Sequence, residues 1–118
     1  MVSPLFFASL LIGGALIVVG SYACLTWYIF WNREYKGQLL TDGPYSRVRH
    51  PFYLGFLALT AGLAIALPIM ETVALALLSV AVIVFYIQKE EEFLIQRYGK
   101  AYREYMRRVP WKMIPRVY

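Results

Sequence analysis

Three long apolar segments dominate the pattern of hydrophobic and polar positions. They run from Leu5 to Trp31, from Phe52 to Met70 and from Thr72 to Gln88, and none contains Lys, Arg, Asp or Glu. Each is close to or above the roughly 17 residues that a helix needs to cross a bilayer. The first is too long for the roughly 7–15-residue core of a signal peptide, so we interpret it as a retained helix. The pattern predicts an all-α integral membrane protein with about three transmembrane helices.

The second and third segments are separated only by a short region around Pro68 and Glu71. Such a short connection predicts an antiparallel helical hairpin. Its two arms have similar lengths at about 1.5 Å per residue, so the chain should return to the level from which it left. Pro51 suits the first turn of the second helix, which puts His50 at or near its N-cap. We therefore expect the hairpin to bring Glu90–Glu92 close to His50.

Composition and charge agree with a membrane location. The hydrophobic fraction is 60% and the mean hydropathy is +0.54, whereas soluble domains are about 45–50% apolar. All 12 Lys and Arg residues lie between the first and second segments or after the third. The positive-inside rule makes that side cytoplasmic and leaves the N-terminus outside. Membrane lipids account for the net charge of +5 without a nucleic-acid partner.

The polar segment 89–118 completes a single domain that we expect to cover residues 1–118. Leu94, Tyr98, Tyr102, Tyr105 and Val109 recur at a spacing of three to four residues. This period is typical of an amphipathic helix, which would lie along the membrane surface or fold under the hairpin as a lid. A glycine at position 99 predicts a break between two helices.

Opposite charges are expected to meet where the hairpin arms return. A helix N-terminus beside Arg47, Arg49 and His50 favours an anion, and the glutamates opposite favour a cation. A site of both signs suits a zwitterionic ligand. Tyr53 and Tyr86 would flank an aromatic ring or a sulfonium through cation–π contacts.

Other chemistries are poorly supplied by this sequence. One His and one distant Cys, Cys24, do not make a metal site. Ser46, His50 and Asp42 are too close in sequence to adopt triad geometry easily. A transporter needs an ionisable group within the membrane, and the three apolar segments have none. A non-catalytic anchoring or assembly protein remains an open alternative.

The stretch "GPYSRVRHPFYLG", an apolar hairpin and then "EEEFLIQRYGKAYREYMRRVP" resembles the isoprenylcysteine carboxyl methyltransferases and the related phospholipid N-methyltransferases. The resemblance runs from about Leu39 to Pro115. It implies an integral membrane methyltransferase that binds S-adenosylmethionine at the cytoplasmic rim. It also implies a lipidic acceptor that enters from the bilayer, most simply an isoprenylcysteine-like or isoprenoid carboxylate. A phospholipid amine is the alternative, and a homo-oligomer is possible.

The resemblance also implies roles for individual residues. The expected catalytic residues are Arg49, His50 and Glu90. The register counted back from Leu94 selects Glu90 and Glu91 as the family's acidic pair and leaves Glu92 solvated. The expected cofactor-binding residues are His50, Pro51, Tyr53, Leu54, Gly55, Glu90, Glu91, Tyr98 and Tyr102. Arg107 or Arg108 is expected to meet an acidic group of the substrate.

Overall fold

The computed structural model describes residues 3–118, and its helices confirm the all-α prediction. The elements are α1 (Pro4–Glu34), a short 3₁₀ helix (Gly43–Ser46), α2 (Pro51–Ala66), α3 (Met70–Tyr98) and α4 (Lys100–Arg108). Both α1 and α3 are long and apolar enough to cross a membrane. Ser3 caps α1 by accepting a hydrogen bond from the Phe6 N–H at 3.2 Å.

Helix ends differ from the ends of the apolar segments. The second segment is helical only over the 16 residues Pro51–Ala66, because Pro68 disfavours a helical conformation in the residue before it. This helix is shorter than the roughly 17 residues of a full span. By contrast, α3 continues ten residues beyond Gln88, since Lys, Glu, Gln and Arg are good helix formers. The second segment is thus a shorter apolar helix than α1 and α3, and the number of spans stays a prediction.

The turn between α2 and α3 is stabilised by a threonine. The Thr72 hydroxyl accepts a hydrogen bond from the Ile69 N–H at 3.2 Å and donates one to the Leu67 carbonyl. These bonds occupy backbone groups that the break between the helices leaves free. The chain reverses here as the hairpin prediction requires.

Four glycines let the backbones of α1 and α2 come into contact. Gly13 and Gly20 are seven residues apart on α1, and Gly55 and Gly62 are seven apart on α2. A Cβ on Gly13 would lie 2.6 Å from the Gly62 carbonyl oxygen, and one on Gly20 would lie 2.6 Å from that of Gly55. We call these four residues the glycine seam. Small residues allow such close approach of membrane helices, whereas Gly14 has no atom within 4 Å of its would-be Cβ.

Two small cores pack α3, α4 and the C-terminal segment against α2 and against the connection between α1 and α2. Ile83, Ile87 and Met113 form one against α2, and Tyr102, Tyr105 and Val109 form the other beneath α4. Between α3 and α4 the chain turns at a glycine with a φ of +55°, a conformation that favours glycine. The predicted break at position 99 is confirmed, and Tyr102 and Tyr105 of the amphipathic segment are buried.

Candidate functional site

The site begins where α2 starts. His50 is the N-cap of α2 and Pro51 its first residue, so the N–H groups just before the helix need partners from elsewhere. The segment after α4 supplies them: the Arg49 N–H donates to the Trp111 carbonyl at 2.9 Å, and the His50 N–H to the Lys112 carbonyl at 2.8 Å. Residues 111–112 therefore fix the backbone from which the Arg49 and His50 side chains project.

Glu91 lies at the centre of the site and contacts side chains from three parts of the chain. Its Oε2 is 3.0 Å from His50 Nε2 and 2.8 Å from Arg49 Nε. It also accepts a hydrogen bond from the Tyr102 hydroxyl at 3.4 Å. Lys112 Nζ lies 4.0 Å from the other carboxylate oxygen. Because Arg49, His50 and Glu91 are all buried, these contacts form largely away from water.

Glu91 lies after the charge-free part of α3. Electrostatic interactions keep it ionised although it is buried. Burial alone would raise the pKa of this carboxyl. The hydrogen bond from His50 and the positive charges of Arg49 and Lys112 outweigh that effect, so the pKa is lowered. A carboxylate only accepts hydrogen bonds, so the His50 Nε2 carries the proton in this contact. The Arg49 Nε–H does not point along its short contact to Glu91, and this buried donor is left without a hydrogen bond.

Glu90, the neighbour of Glu91, is in a different environment. Its side chain is 40% exposed, and its Oε2 lies 4.0 Å from His50 Nδ1. The Tyr53 hydroxyl donates a hydrogen bond to the same oxygen at 2.8 Å. Glu90 is therefore the carboxylate that is accessible to a ligand, whereas Glu91 is enclosed by protein. We refer to Arg49, His50, Glu90, Glu91 and Lys112 as the polar cluster.

Three adjoining cavities surround the polar cluster. The first, of about 200 Å³, extends under the tyrosines of α3 and α4. The second, of about 380 Å³, lies between the end of α1 and the start of α2. The third is an open groove of about 620 Å³, lined by Tyr53, Phe85, Tyr86, Lys89, Glu90 and Phe93. Glu90 lines all three cavities. The first two share Trp31, Tyr45, Arg49, His50 and Glu90.

Most of the residues singled out in the sequence come together here. The candidate site residues that line a cavity are Arg49, His50, Pro51, Tyr53, Tyr86, Glu90, Tyr98 and Tyr102. Glu91 lines none of the three but holds Arg49 and His50.

The others have different surroundings. Leu54 packs against the Ile83–Ile87 core, and Gly55 faces Cys24 of α1. Arg107 and Arg108 are exposed and line none of the three cavities. A role for these two arginines in substrate binding stays a prediction.

Sequence reasoning missed three residues of the site. Trp31 belongs to an aromatic group that is typical of the membrane interface, yet it lines two of the cavities. Tyr45 lies within the stretch that carries the family resemblance, but nothing in its spacing marks it. Lys112 reaches Glu91 through an irregular segment without periodicity. Only the position of Tyr45 a few residues before Arg49 could have drawn attention to it.

Comparison with known proteins gives one matching family and several relatives among the curated proteins. The family model described as phospholipid methyltransferase matches residues 5–101. The chain is 39% identical over 87 residues to the delta(14)-sterol reductase TM7SF2 of Mus musculus, covering 69% of this chain and 20% of that protein. It is 35% identical over 82 residues to protein-S-isoprenylcysteine O-methyltransferase B of Arabidopsis thaliana, with coverages of 67% and 41%. It is 38% identical over 97 residues to methanethiol S-methyltransferase 2 of Bradyrhizobium diazoefficiens, with coverages of 75% and 34%. The chain thus spans less than half the length of each of these relatives.

Proposed function

Because the chain belongs to the phospholipid methyltransferase family, we propose that it is a membrane methyltransferase that uses S-adenosylmethionine and methylates a lipidic acceptor. The acceptor group proposed is a carboxylate of the isoprenylcysteine type. The observation that carries this proposal is the polar cluster, in which residues about forty apart in sequence form one mixed-charge site beside three cavities.

The donor set suits the chemical groups of this cofactor. Its carboxylate would be held by Arg49, whose buried Nε–H has no hydrogen bond. Its ammonium would be held by Glu90, the accessible carboxylate. Aromatic side chains line the first cavity, among them Trp31, Tyr98 and Tyr102. Aromatic faces attract cations such as a sulfonium.

Methyl transfer requires mainly that the protein position the donor and the acceptor. When bound, the cofactor supplies a methyl group that is already activated by a sulfonium. The protein then gains most by holding donor and acceptor at attack distance. A carboxylate acceptor is a nucleophile without losing a proton, whereas an ammonium acceptor must first be deprotonated. In that alternative reaction Glu90 is the accessible base, since Glu91 is enclosed and paired.

The third cavity supports entry of a lipid. The groove brings apolar rings, Phe85, Tyr86 and Phe93, up to Glu90 of the polar cluster. A prenyl or acyl tail would lie along these rings with its polar end at the polar cluster. We further propose that this end of the molecule faces the cytoplasm, because the basic residues are on that side. The possible homo-oligomer stays a prediction.

Cofactor binding tests the proposal directly. Purified protein in detergent is titrated calorimetrically with S-adenosylmethionine and with S-adenosylhomocysteine. Saturable binding is expected below about 1 mM, in the usual range of KM values. Glu90→Gln removes a charged partner and should weaken binding by roughly tenfold to hundredfold. Glu92→Gln is the matched control, because Glu92 is exposed on the same helix.

Transfer of a radiolabelled methyl group to prenylcysteine and phospholipid acceptors then tests activity. No binding of either cofactor form by the folded protein would overturn the proposal. Saturable binding of NADPH in their place would favour a reductase, the activity named for the mouse relative.

A further inference from the structure

We propose that the Tyr45 hydroxyl donates a hydrogen bond to the acceptor's carboxylate and so makes Tyr45 a specificity-determining residue. This inference rests on the proposed function and concerns the acceptor side of the site. Tyr45 is one of the five residues shared by the first two cavities. If donor and acceptor occupy these adjoining cavities, the shared residues surround the place where the methyl group is transferred.

The position of the Tyr45 ring is fixed without its hydroxyl. Tyr45 belongs to the 3₁₀ helix, and its carbonyl accepts a hydrogen bond from the Tyr105 hydroxyl at 2.6 Å. Its ring lies 6.2 Å from the Phe30 ring of α1, centroid to centroid. Gly43 brings this segment onto the same phenylalanine, since a Cβ there would lie 2.6 Å from Phe30 Cε2. These contacts of the backbone and the ring do not use the hydroxyl proton.

The hydrogen bonds of Tyr45 leave one donor unused. Trp27 Nε1 lies 2.6 Å from the Tyr45 hydroxyl oxygen, and an indole N–H can only donate. The phenol oxygen therefore accepts, and its own proton finds no acceptor among residues 3–118. Burial and the negative charge of Glu90 raise the pKa of Tyr45 to about 12 against the opposing effect of Trp27. The group stays a donor at neutral pH.

Arg49 adds a positive charge beside this donor. It lines the same two cavities as Tyr45, and its Nε lies 2.8 Å from Glu91. A carboxylate offers about four lone-pair sites and accepts from several donors at once, whereas an ammonium accepts none. The unused phenol proton beside the guanidinium charge therefore favours an anionic oxygen ligand over a protonated amine.

The proposed contact is compatible with the transfer step. One carboxylate oxygen of the acceptor accepts the hydrogen bond from Tyr45, and the other attacks the methyl carbon. The new C–O bond forms as the C–S bond breaks, and the bonding pair stays on sulfur. No proton moves, and Tyr45 remains neutral throughout. Its contribution is to hold the acceptor in the attacking orientation.

A paired change in protein and ligand tests this assignment. The protein, saturated with S-adenosylhomocysteine, is titrated with N-acetyl-S-farnesylcysteine and with N-acetyl-S-farnesylcysteamine, which is the same molecule without the carboxylate. The parent should bind the acid about tenfold more tightly than the decarboxylated analogue, as a charged hydrogen bond implies. Tyr45→Phe should lower this ratio several-fold, to the part that Arg49 provides, while leaving affinity for the analogue within about twofold.

Two further variants separate ligand binding from structure. Trp27→Phe removes the donor to Tyr45 but keeps the hydroxyl, so it should retain most of the preference for the acid. Tyr28→Phe, on the exposed face of α1, should behave as the parent. An unchanged acid preference in Tyr45→Phe, or equal losses in Tyr45→Phe and Trp27→Phe, would overturn the inference. So would a parent that binds the cofactor but does not prefer the acid, whereas a parent that binds no cofactor overturns the proposed function itself.

Discussion

The α1–α2 interface and the polar cluster hold the helices together by different means. Along the glycine seam two backbones touch, and the seam provides no side chain that could bind a ligand. In the polar cluster, side chains from the residues just before α2, from α3 and from the segment after α4 meet through charges and hydrogen bonds. The packing of the glycine seam requires that its residues have no Cβ atom. The polar cluster requires side chains with particular charges and hydrogen-bonding groups.

This difference separates support from function. A seam of backbone contacts is sensitive to added volume but has no charge to lose, whereas a buried ionic cluster tolerates little change of charge. Variants in the two regions should therefore fail in different ways. The following predictions test that separation in order of decreasing effect.

Neutralising the centre of the polar cluster should have the largest effect. Glu91→Gln leaves Arg49 buried without its countercharge, and breaking a buried ion pair in this way costs about 3–5 kcal/mol. We expect loss of that stability together with loss of cofactor binding, measured by denaturant unfolding in detergent and by calorimetry. The exposed neighbour provides the control, Glu92→Gln, which should be close to neutral. Parent-like stability of Glu91→Gln would contradict the central place given to this residue.

Adding a methyl group to the glycine seam should have the next largest effect. In Gly62→Ala the new Cβ would lie 2.7 Å from the Gly13 carbonyl oxygen, so the helices must move apart. Overpacking of this kind costs about 1–3 kcal/mol. Gly14→Ala is the matched control on α1, because no atom lies within 4 Å of its Cβ position. Thermal unfolding of the two variants measures the difference, and equal midpoints would argue against backbone contact.

Removing a single hydroxyl that links α4 to the 3₁₀ helix should have a smaller effect. Tyr105→Phe removes the donor to the Tyr45 carbonyl and should cost about 1 kcal/mol of unfolding free energy. Tyr22→Phe, on the exposed face of α1, should cost almost nothing. Denaturant unfolding compares the two. A loss in Tyr105→Phe no greater than in Tyr22→Phe would show that this bond does not tie α4 to the site.

Lowering the pH should have the smallest of these effects on folding stability. The pKa of Glu91 is lowered from its ordinary value of 4.5 in the folded protein, so the unfolded chain binds a proton at higher pH than the folded one. The stability from this group is fully present above pH 4.5 and is lost as the pH falls through the folded-state pKa. Unfolding midpoints measured from pH 6 downwards should show this loss in the parent and a reduced loss in Glu91→Gln. Identical pH profiles would locate the acid sensitivity elsewhere.

Much of this architecture could be predicted from the sequence. The three segments without charged residues predict where the apolar helices lie. The short connection at Pro68 predicts that His50 and the glutamates lie close together. That the helix of α3 continues past Gln88 was not visible in hydropathy, because the end of an apolar stretch is not the end of a helix. Glycines in an apolar helix favour close helix contact, but only the spacing of seven in both helices separates Gly13 and Gly20 from Gly14.

The finer parts of the site were not visible in the sequence because they depend on tertiary contacts without periodicity. Lys112 lies in an irregular segment, and its carbonyl pairs with a backbone N–H 62 residues earlier in the chain. Tyr45 acquires its environment from Trp27, which by its position is typical of a headgroup belt. Neither contact follows from local pattern, and both required the folded chain.

The two hydrogen bonds from residues 49 and 50 to residues 111 and 112 have a consequence for folding order. Contacts between distant parts of a chain form late, because a long loop must close first, and a growing chain emerges from its N-terminal side. Helices α1 and α2 can therefore pair while the rest is still being synthesised. The charged pocket is assembled only after residues 111 and 112 have emerged, so the nascent molecule acquires binding competence later than the pairing of α1 with α2.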